Sequence, residues 1–142
     1  MPDFLFENRI WDEPAETMAA EERRRLQSDR LAEVVRRVAD VPFYRQAFAE
    51  AGVRPDDVRG LDDLRRLPFT TKANLRDHYP LGFLAVPRER VARIHGSSGT
   101  TGRPTFVAYT PDDLTLWSDL CARFLVAGGL RPEHTVQISF GY

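Results

Sequence analysis

The sequence predicts an α/β fold, α+β within this stretch, in two zones, a helical part to about residue 80 and the opening of an α/β part over 81–142. Three observations predict it. Before residue 80, apolar residues fall at helical spacing and are punctuated by proline and glycine. After it, short β-branched and aromatic runs flank a glycine-rich loop. A helix start at Thr110-Pro111-Asp112-Asp113 then leads to apolar residues alternating at 136, 138 and 140.

The elements follow in order. Residues 1–16 read as an irregular arm, with Phe4, Phe6, Ile10 and Trp11 needing cover, because bare apolar surface is unfavourable in water. Thr17 is the expected cap of a helix to about Asp40, with Leu31, Val34, Val35 and Val38 inward and Glu21 to Arg25 on a solvated face. A second helix starts at Pro42 and stops at Gly52. Leu61, Leu64 and Leu67 mark a third, ended by Pro68; Asp56-Asp57 and Asp62-Asp63 favour such starts through the helix dipole and do not form a catalytic acid pair. Thr71 caps a fourth that carries Leu75 and ends near Pro80. Val91–Ile94 and Phe106–Tyr109 are strand-like. The last helix has the Thr110 cap, Pro111 at its first position, and Leu114, Trp117, Cys121 and Phe124 on its inner face up to Gly128-Gly129. Val136, Ile138 and Phe140 form a third strand. Nothing follows to cover its edge, so the architecture reads as interrupted and the chain as a fragment.

Composition narrows the class. Apolar residues are 42% and charged residues 29%, as in water-soluble globular domains. A net charge of -1 gives no electrostatic case for nucleic acid or an anionic membrane surface. One cysteine cannot form an internal disulfide. The N-terminus has an early acid and no apolar h-region, and no run is long enough to span a membrane. A cytoplasmic protein is the expectation. Lys72 is the sole lysine among 20 basic residues.

The chemistry concentrates in Ser97-Ser98-Gly99-Thr100-Thr101-Gly102-Arg103-Pro104-Thr105. Glycines allow close backbone approach, so successive N–H groups can form an anion nest. Hydroxyls add mobile donors, and Arg103 adds fixed charge. After Gly96, a Walker A loop would need glycine at 101 and lysine at 102, where the chain has Thr101 and Gly102. The residues alone leave two readings open, a phosphate cradle and a Ser/Gly/Thr hairpin linker.

The string SSGTTGRP resembles the phosphate-binding loop of the adenylate-forming superfamily, which includes acyl-CoA synthetases, luciferases and peptide-synthetase adenylation domains. Most acyl-CoA synthetases carry lysine after the loop's proline, whereas this chain has Thr105. With Phe106-Val107-Ala108-Tyr109-Thr110, that departure is similar to the phenylacetate–CoA ligase branch. Val41-Pro42-Phe43-Tyr44-Arg45, Leu67 to Lys72, Tyr79-Pro80 and Arg93-Ile94-His95 resemble that branch too, and Phe140-Gly141-Tyr142 looks like the start of its next motif. The resemblance implies a helical N-terminal subdomain over 1–80 and the start of an AMP-binding α/β domain over 81–142. It implies a ligase that activates phenylacetate or a similar aryl acid with ATP and Mg²⁺ and transfers the acyl group to CoA. It assigns Ser97, Ser98, Gly99, Thr100, Thr101, Gly102 and Arg103 to the β- and γ-phosphates. Family members carry their nucleotide pocket, acidic metal ligand, acyl pocket and C-terminal catalytic lysine beyond the stretch matched here, so this chain alone is expected to be inactive. Expected partners are small molecules, with a homodimer left open. A non-catalytic nucleotide- or CoA-binding module derived from the family is the alternative, and a related adenylyl-transferring enzyme with another acceptor is a third reading.

The remaining residues carry less. Lys72 follows Thr70-Thr71 at a helix start where an anion is favoured; it is either a nucleotide- or CoA-facing cation or a solvated lysine. His95 either touches phosphate or acid, or is a structural strand-end histidine. His78 and His134 are isolated surface positions, and no metal-ligand spacing joins the three histidines. Cys121 is expected to be a small buried hydrophobe.

Overall fold

Asp12, not Thr17, starts the first helix. In the computed structural model, which describes residues 9–97 and 104–139, α1 is Glu13–Glu16, with the Asp12 carboxylate accepting from Ala15 N at 3.2 Å. Glu16 Oε1 folds back to accept from the backbone N–H of Trp11 at 3.0 Å and Asp12 at 2.7 Å. Thr17 closes this turn, its N–H and hydroxyl both donating to Glu13 O. The expected Thr17 cap is thereby corrected, because Asp-Glu-Pro supplies an earlier start with acids at the positive end. Phe4 and Phe6 lie outside the described residues.

The other elements are α2 (Ala20–Val38), α3 (Pro42–Glu50), α4 (Lys72–Asp77), β1 (Arg93–Gly96), β2 (Phe106–Tyr109) and α5 (Pro111–Ala127), with short 3₁₀ turns at Pro55–Asp57, Leu61–Arg66 and Arg88–Arg90. The described chain is thus helices with a small antiparallel sheet, an α+β arrangement. It divides into two units, Ala19–Asp113 and a second that joins the N-terminal arm to residues from Leu114 onward.

In the first unit α2 has no side-chain cap, but Glu21 and Glu22 open it and Arg36 and Arg37 close it, matching its dipole. Its buried face carries Ala32 and Val35, flanked by half-buried Leu31 and Val38; Val34 lies off this phase and is exposed, against expectation. Val35 packs with Phe48, Val53 and Val58 as the core. A left-handed Gly52 (φ 64°) ends α3. There Val53 N–H donates to Phe48 O at 2.9 Å and Gly52 N–H to Ala49 O at 3.1 Å, a Schellman pair whose side chains Val53 and Phe48 are both in the core.

The expected third helix is a 3₁₀ segment, held by i→i+3 bonds such as Asp63 N to Gly60 O at 3.0 Å. Gly60 sits against α2, where an added Cβ would lie 2.8 Å from Ser28 Cβ. The aspartate pairs meet arginines: Asp57 with Arg54, Asp62 with Arg24 and Asp63 with Arg66.

The α4 start is as expected, with a reciprocal Thr71–Asn74 capping box. β1 runs two residues later than expected. The 3₁₀ turn before it ends at Val91, and pairing with β2 draws in His95 and Gly96. The register is Arg93↔Tyr109, Ile94↔Ala108, His95↔Val107 and Gly96↔Phe106.

α5 starts at the expected cap. Asp113 N–H donates to Thr110 Oγ1 at 3.2 Å, while Asp113 Oδ2 accepts from Thr110 N–H and hydroxyl, both at 2.8 Å. Its expected inner face is not buried: Leu114 and Cys121 are half-buried, Trp117 and Phe124 exposed. The expected strand through Val136 and Ile138 has no regular secondary structure, and both side chains are exposed. A strand needs a hydrogen-bonded neighbour, and none pairs with it among the described residues. Phe140 lies outside them.

Candidate functional site

The hairpin β1–β2 carries the chemically distinctive loop on its turn. Ser98, Gly99, Thr100, Thr101, Gly102 and Arg103 lie outside the described residues, while Ser97 and Thr105, at the two ends of the loop, are within them. Ser97 N–H donates to Thr105 O at 3.0 Å, extending the ladder by one rung. Thr105 N–H and Oγ1–H both donate to Ser97 Oγ, at 3.0 and 3.1 Å. The threonine in place of the usual post-proline lysine therefore acts as a clamp. Its hydroxyl and backbone converge on one serine oxygen and fix the separation of the loop's ends.

The rung below is tight as well. A Cβ on Gly96 would meet the Phe106 ring at 2.6 Å, so only glycine allows the ring to lie across the strand. The Phe106 ring also packs on Tyr79, centroids 5.3 Å apart, beside the cis Tyr79–Pro80 bond. On the other face His95 lies diagonally against Tyr109, with centroids 5.1 Å apart. That contact gives His95 a structural role in the sheet.

A cavity of about 260 Å³ opens beside β2. Leu75, Leu81, Phe83, Val91 and Phe106 line it, with Arg37 supplying a cation. His78 borders the same cavity and is not the isolated surface residue its sequence context implied. Its ring stacks edgewise on Phe43 and Phe83, and Nδ1 is 2.9 Å from Asn74 O. Phe43, Tyr44 and Phe83 complete this aromatic cluster. Sequence reading missed Phe83, because no periodic spacing links it to Phe43. His134 is exposed, with Nδ1 accepting from Arg131 N–H at 3.1 Å.

Lys72 is the first residue of α4 and is exposed. That helix has only six residues, so a cation role for Lys72 would rest mainly on its own ammonium. Three carboxylates in this unit, Asp57, Asp63 and Asp113, are structurally engaged. Thr110 N–H and hydroxyl hold Asp113 below the usual carboxylate range. The Arg54 hydrogen bond does the same for Asp57, and Arg59 N–H with Arg66 for Asp63.

No family model matches the chain. It is 53% identical over 128 residues to a phenylacetate–coenzyme A ligase of Thermus thermophilus, covering 89% of this chain and 29% of that protein. It is 50% identical over 131 residues to the Aromatoleum evansii phenylacetate–coenzyme A ligase, covering 92% and 30%. A crystal structure of 2-hydroxyisobutyryl-CoA ligase, in complex with 2-HIB-AMP and CoA, matches with a TM-score of 0.79 and 33% identity over 93% of this chain and 30% of that one. The chain thus spans about 30% of the length of the curated relatives it matches, at their N-terminal end.

The α+β arrangement and these likenesses make the chain similar in fold to the N-terminal part of an adenylate-forming acyl-CoA ligase. The chain is a homologue of the N-terminal part of phenylacetate–coenzyme A ligases.

Proposed function

We propose that this chain supplies the N-terminal part of an ATP-dependent acid–thiol ligase that converts phenylacetate or a related aryl acid to its CoA thioester. The observation that carries the proposal is 53% identity, sustained over 89% of the chain, to a phenylacetate–coenzyme A ligase. In the first half-reaction the carboxylate oxygen attacks the α-phosphorus of ATP and the bond to pyrophosphate breaks. In the second, CoA sulfur attacks the acyl carbon and AMP leaves.

Ser97, Ser98, Gly99, Thr100, Thr101, Gly102 and Arg103 would hold the β- and γ-phosphates and stabilise the charge that grows on departing pyrophosphate. The Ser97–Thr105 clamp supports this role, because it holds the two ends of the loop together. Lys72 would add a second cation facing the nucleotide or CoA. Mg²⁺ would neutralise part of the triphosphate charge. Among the described residues there is no group of three or more His, Cys, Asp and Glu side chains that could hold a metal ion.

Residues 1–80 would serve as a helical subdomain and residues 81–142 as the start of the AMP-binding domain. Among the described residues no helix is long and apolar enough to cross a membrane, which fits the cytoplasmic setting proposed for aryl-acid catabolism. The test is phenylacetate-dependent exchange of labelled pyrophosphate into ATP by this chain joined to the remaining part of a family ligase. Exchange with phenylacetate and CoA-thioester formation on adding CoA are expected. Exchange that ignores phenylacetate and related aryl acids would overturn the substrate assignment, and absence of any exchange the activity.

A further inference from the structure

We infer that the cavity beside β2 is a binding site for a small, uncharged molecule built on a single aromatic ring. The site is made by this chain's own residues and does not depend on the ligase activity proposed above.

The cavity measures about 260 Å³, and every residue that lines it lies between Arg37 and Asp113, within the first unit. An apolar cavity of about 150 Å³ is enough to hold benzene. One aromatic ring with a short substituent therefore fits this space. Leu75, Leu81 and Val91 supply an aliphatic wall, and Phe83 and Phe106 supply rings. Such rings give an aromatic guest the offset and edgewise contacts that an aliphatic guest cannot make. Ala108 also lines the cavity, two residues from Phe106 and so on the same face of β2. Its methyl group takes up little of the room beside the Phe106 ring.

The charges on the lining set the class of guest. Arg37 and Asp113 are of opposite sign, and both are engaged. Arg37 pairs with Glu33, one turn back on α2, and Asp113 Oδ2 accepts from Thr110 N–H and hydroxyl, both at 2.8 Å. His78 has its Nδ1 2.9 Å from Asn74 O and its ring edgewise against Phe43 and Phe83. An acid or an amine entering the cavity would shed its water against groups that already have partners. A neutral ring avoids that cost.

Phe106 makes the site readable from the hairpin. The same ring lies 2.6 Å from where a Cβ on Gly96 would stand, and it packs on Tyr79 with centroids 5.3 Å apart. A guest against Phe106 therefore buttresses the strand pair just below the Ser97–Thr105 rung. Because a ligand that binds only the closed hairpin lowers the population of the open one, the Thr105 amide should exchange more slowly when the cavity is filled.

The test titrates the whole chain with toluene while following the methyl resonances of Leu75, Leu81 and Val91. Saturable shifts of these methyls and slower exchange of the Thr105 amide are expected. Phenylacetate and benzylammonium carry the same ring with one charge of either sign, and each should bind about tenfold or more weakly than toluene. Ala108→Leu, which fills the space beside Phe106, should abolish the shifts in a chain whose circular dichroism matches the parent. If that variant does not fold, Val91→Leu, larger by one methylene, takes its place and should weaken binding. Shifts that do not saturate would overturn the inference, as would tighter binding of phenylacetate or benzylammonium than of toluene. So would a folded filling variant that binds toluene as well as the parent, because the guest would then sit elsewhere.

Discussion

Thr105 directs both its backbone N–H and its hydroxyl at a single atom, Ser97 Oγ, at 3.0 and 3.1 Å. Ser97 N–H returns to Thr105 O at 3.0 Å. Ser97→Ala removes the shared acceptor and leaves the backbone rung. It should destabilise the hairpin by about 1 kcal/mol, the usual net worth of such a bond. Hydrogen exchange of the Thr105 amide reads this directly. Several-fold faster exchange is expected, and unchanged protection would show that the clamp contributes nothing.

Gly96→Ala tests the rung beneath. The new methyl would meet the Phe106 ring at 2.6 Å, so the ring must move off Tyr79. Overpacking of this kind costs about 1–3 kcal/mol. Urea unfolding should show that loss, and Phe106→Leu in the same chain should restore part of it. A Gly96→Ala chain as stable as the parent would contradict the close packing described.

Asp113 gives the stability a pH dependence of known sign. Its carboxyl is held below the ordinary value of 3.8 by Thr110 N–H and hydroxyl. A depressed folded value means the unfolded chain binds the proton more readily. The contribution is therefore complete above the unfolded value and is lost as pH falls through the folded one. Thermal midpoints should decline below about pH 4. Asp113→Asn should flatten that acid limb, and an unchanged limb would mean the cap is not the source.

Lys72 is the candidate the fold leaves most open, standing exposed at the first position of α4. In the assembled ligase Lys72→Ala should weaken ATP or CoA use, and Lys72→Arg should recover only part of it because a planar fork replaces a compact ammonium. Unchanged apparent affinities and half-reaction rates for Lys72→Ala would reduce it to a solvated side chain.

Local signals in the sequence located most elements. Pro42 and Gly52 bracket α3, Thr71 starts α4, and Thr110-Pro111 starts α5. These are caps and breakers, whose physics acts within a turn of the chain. Two of the errors came where distant partners decide. β1 was displaced because β2 sets its register, and no neighbour pairs with the stretch through Ile138 among the described residues. Thr17 lost the cap because Asp12 and Glu16 close an earlier turn. The loop's phosphate role is an expectation from its residues and the family resemblance. The Thr105 clamp was not legible, because a hydroxyl converging on Ser97 across the hairpin leaves no spacing signal.

The account's central claim is that the loop from Ser97 to Arg103 handles phosphates that leave in the first half-reaction. The most direct measurement is single-turnover kinetics of both half-reactions in the assembled ligase carrying Thr100→Ala and Thr101→Ala together. Loss of one such donor slows chemistry by about 100- to 1,000-fold in a preorganised site. Adenylation should slow by that order or more, while thioester formation from preformed acyl-adenylate should stay near the parent rate. Equal slowing of both steps would contradict the claim and leave the loop a structural turn.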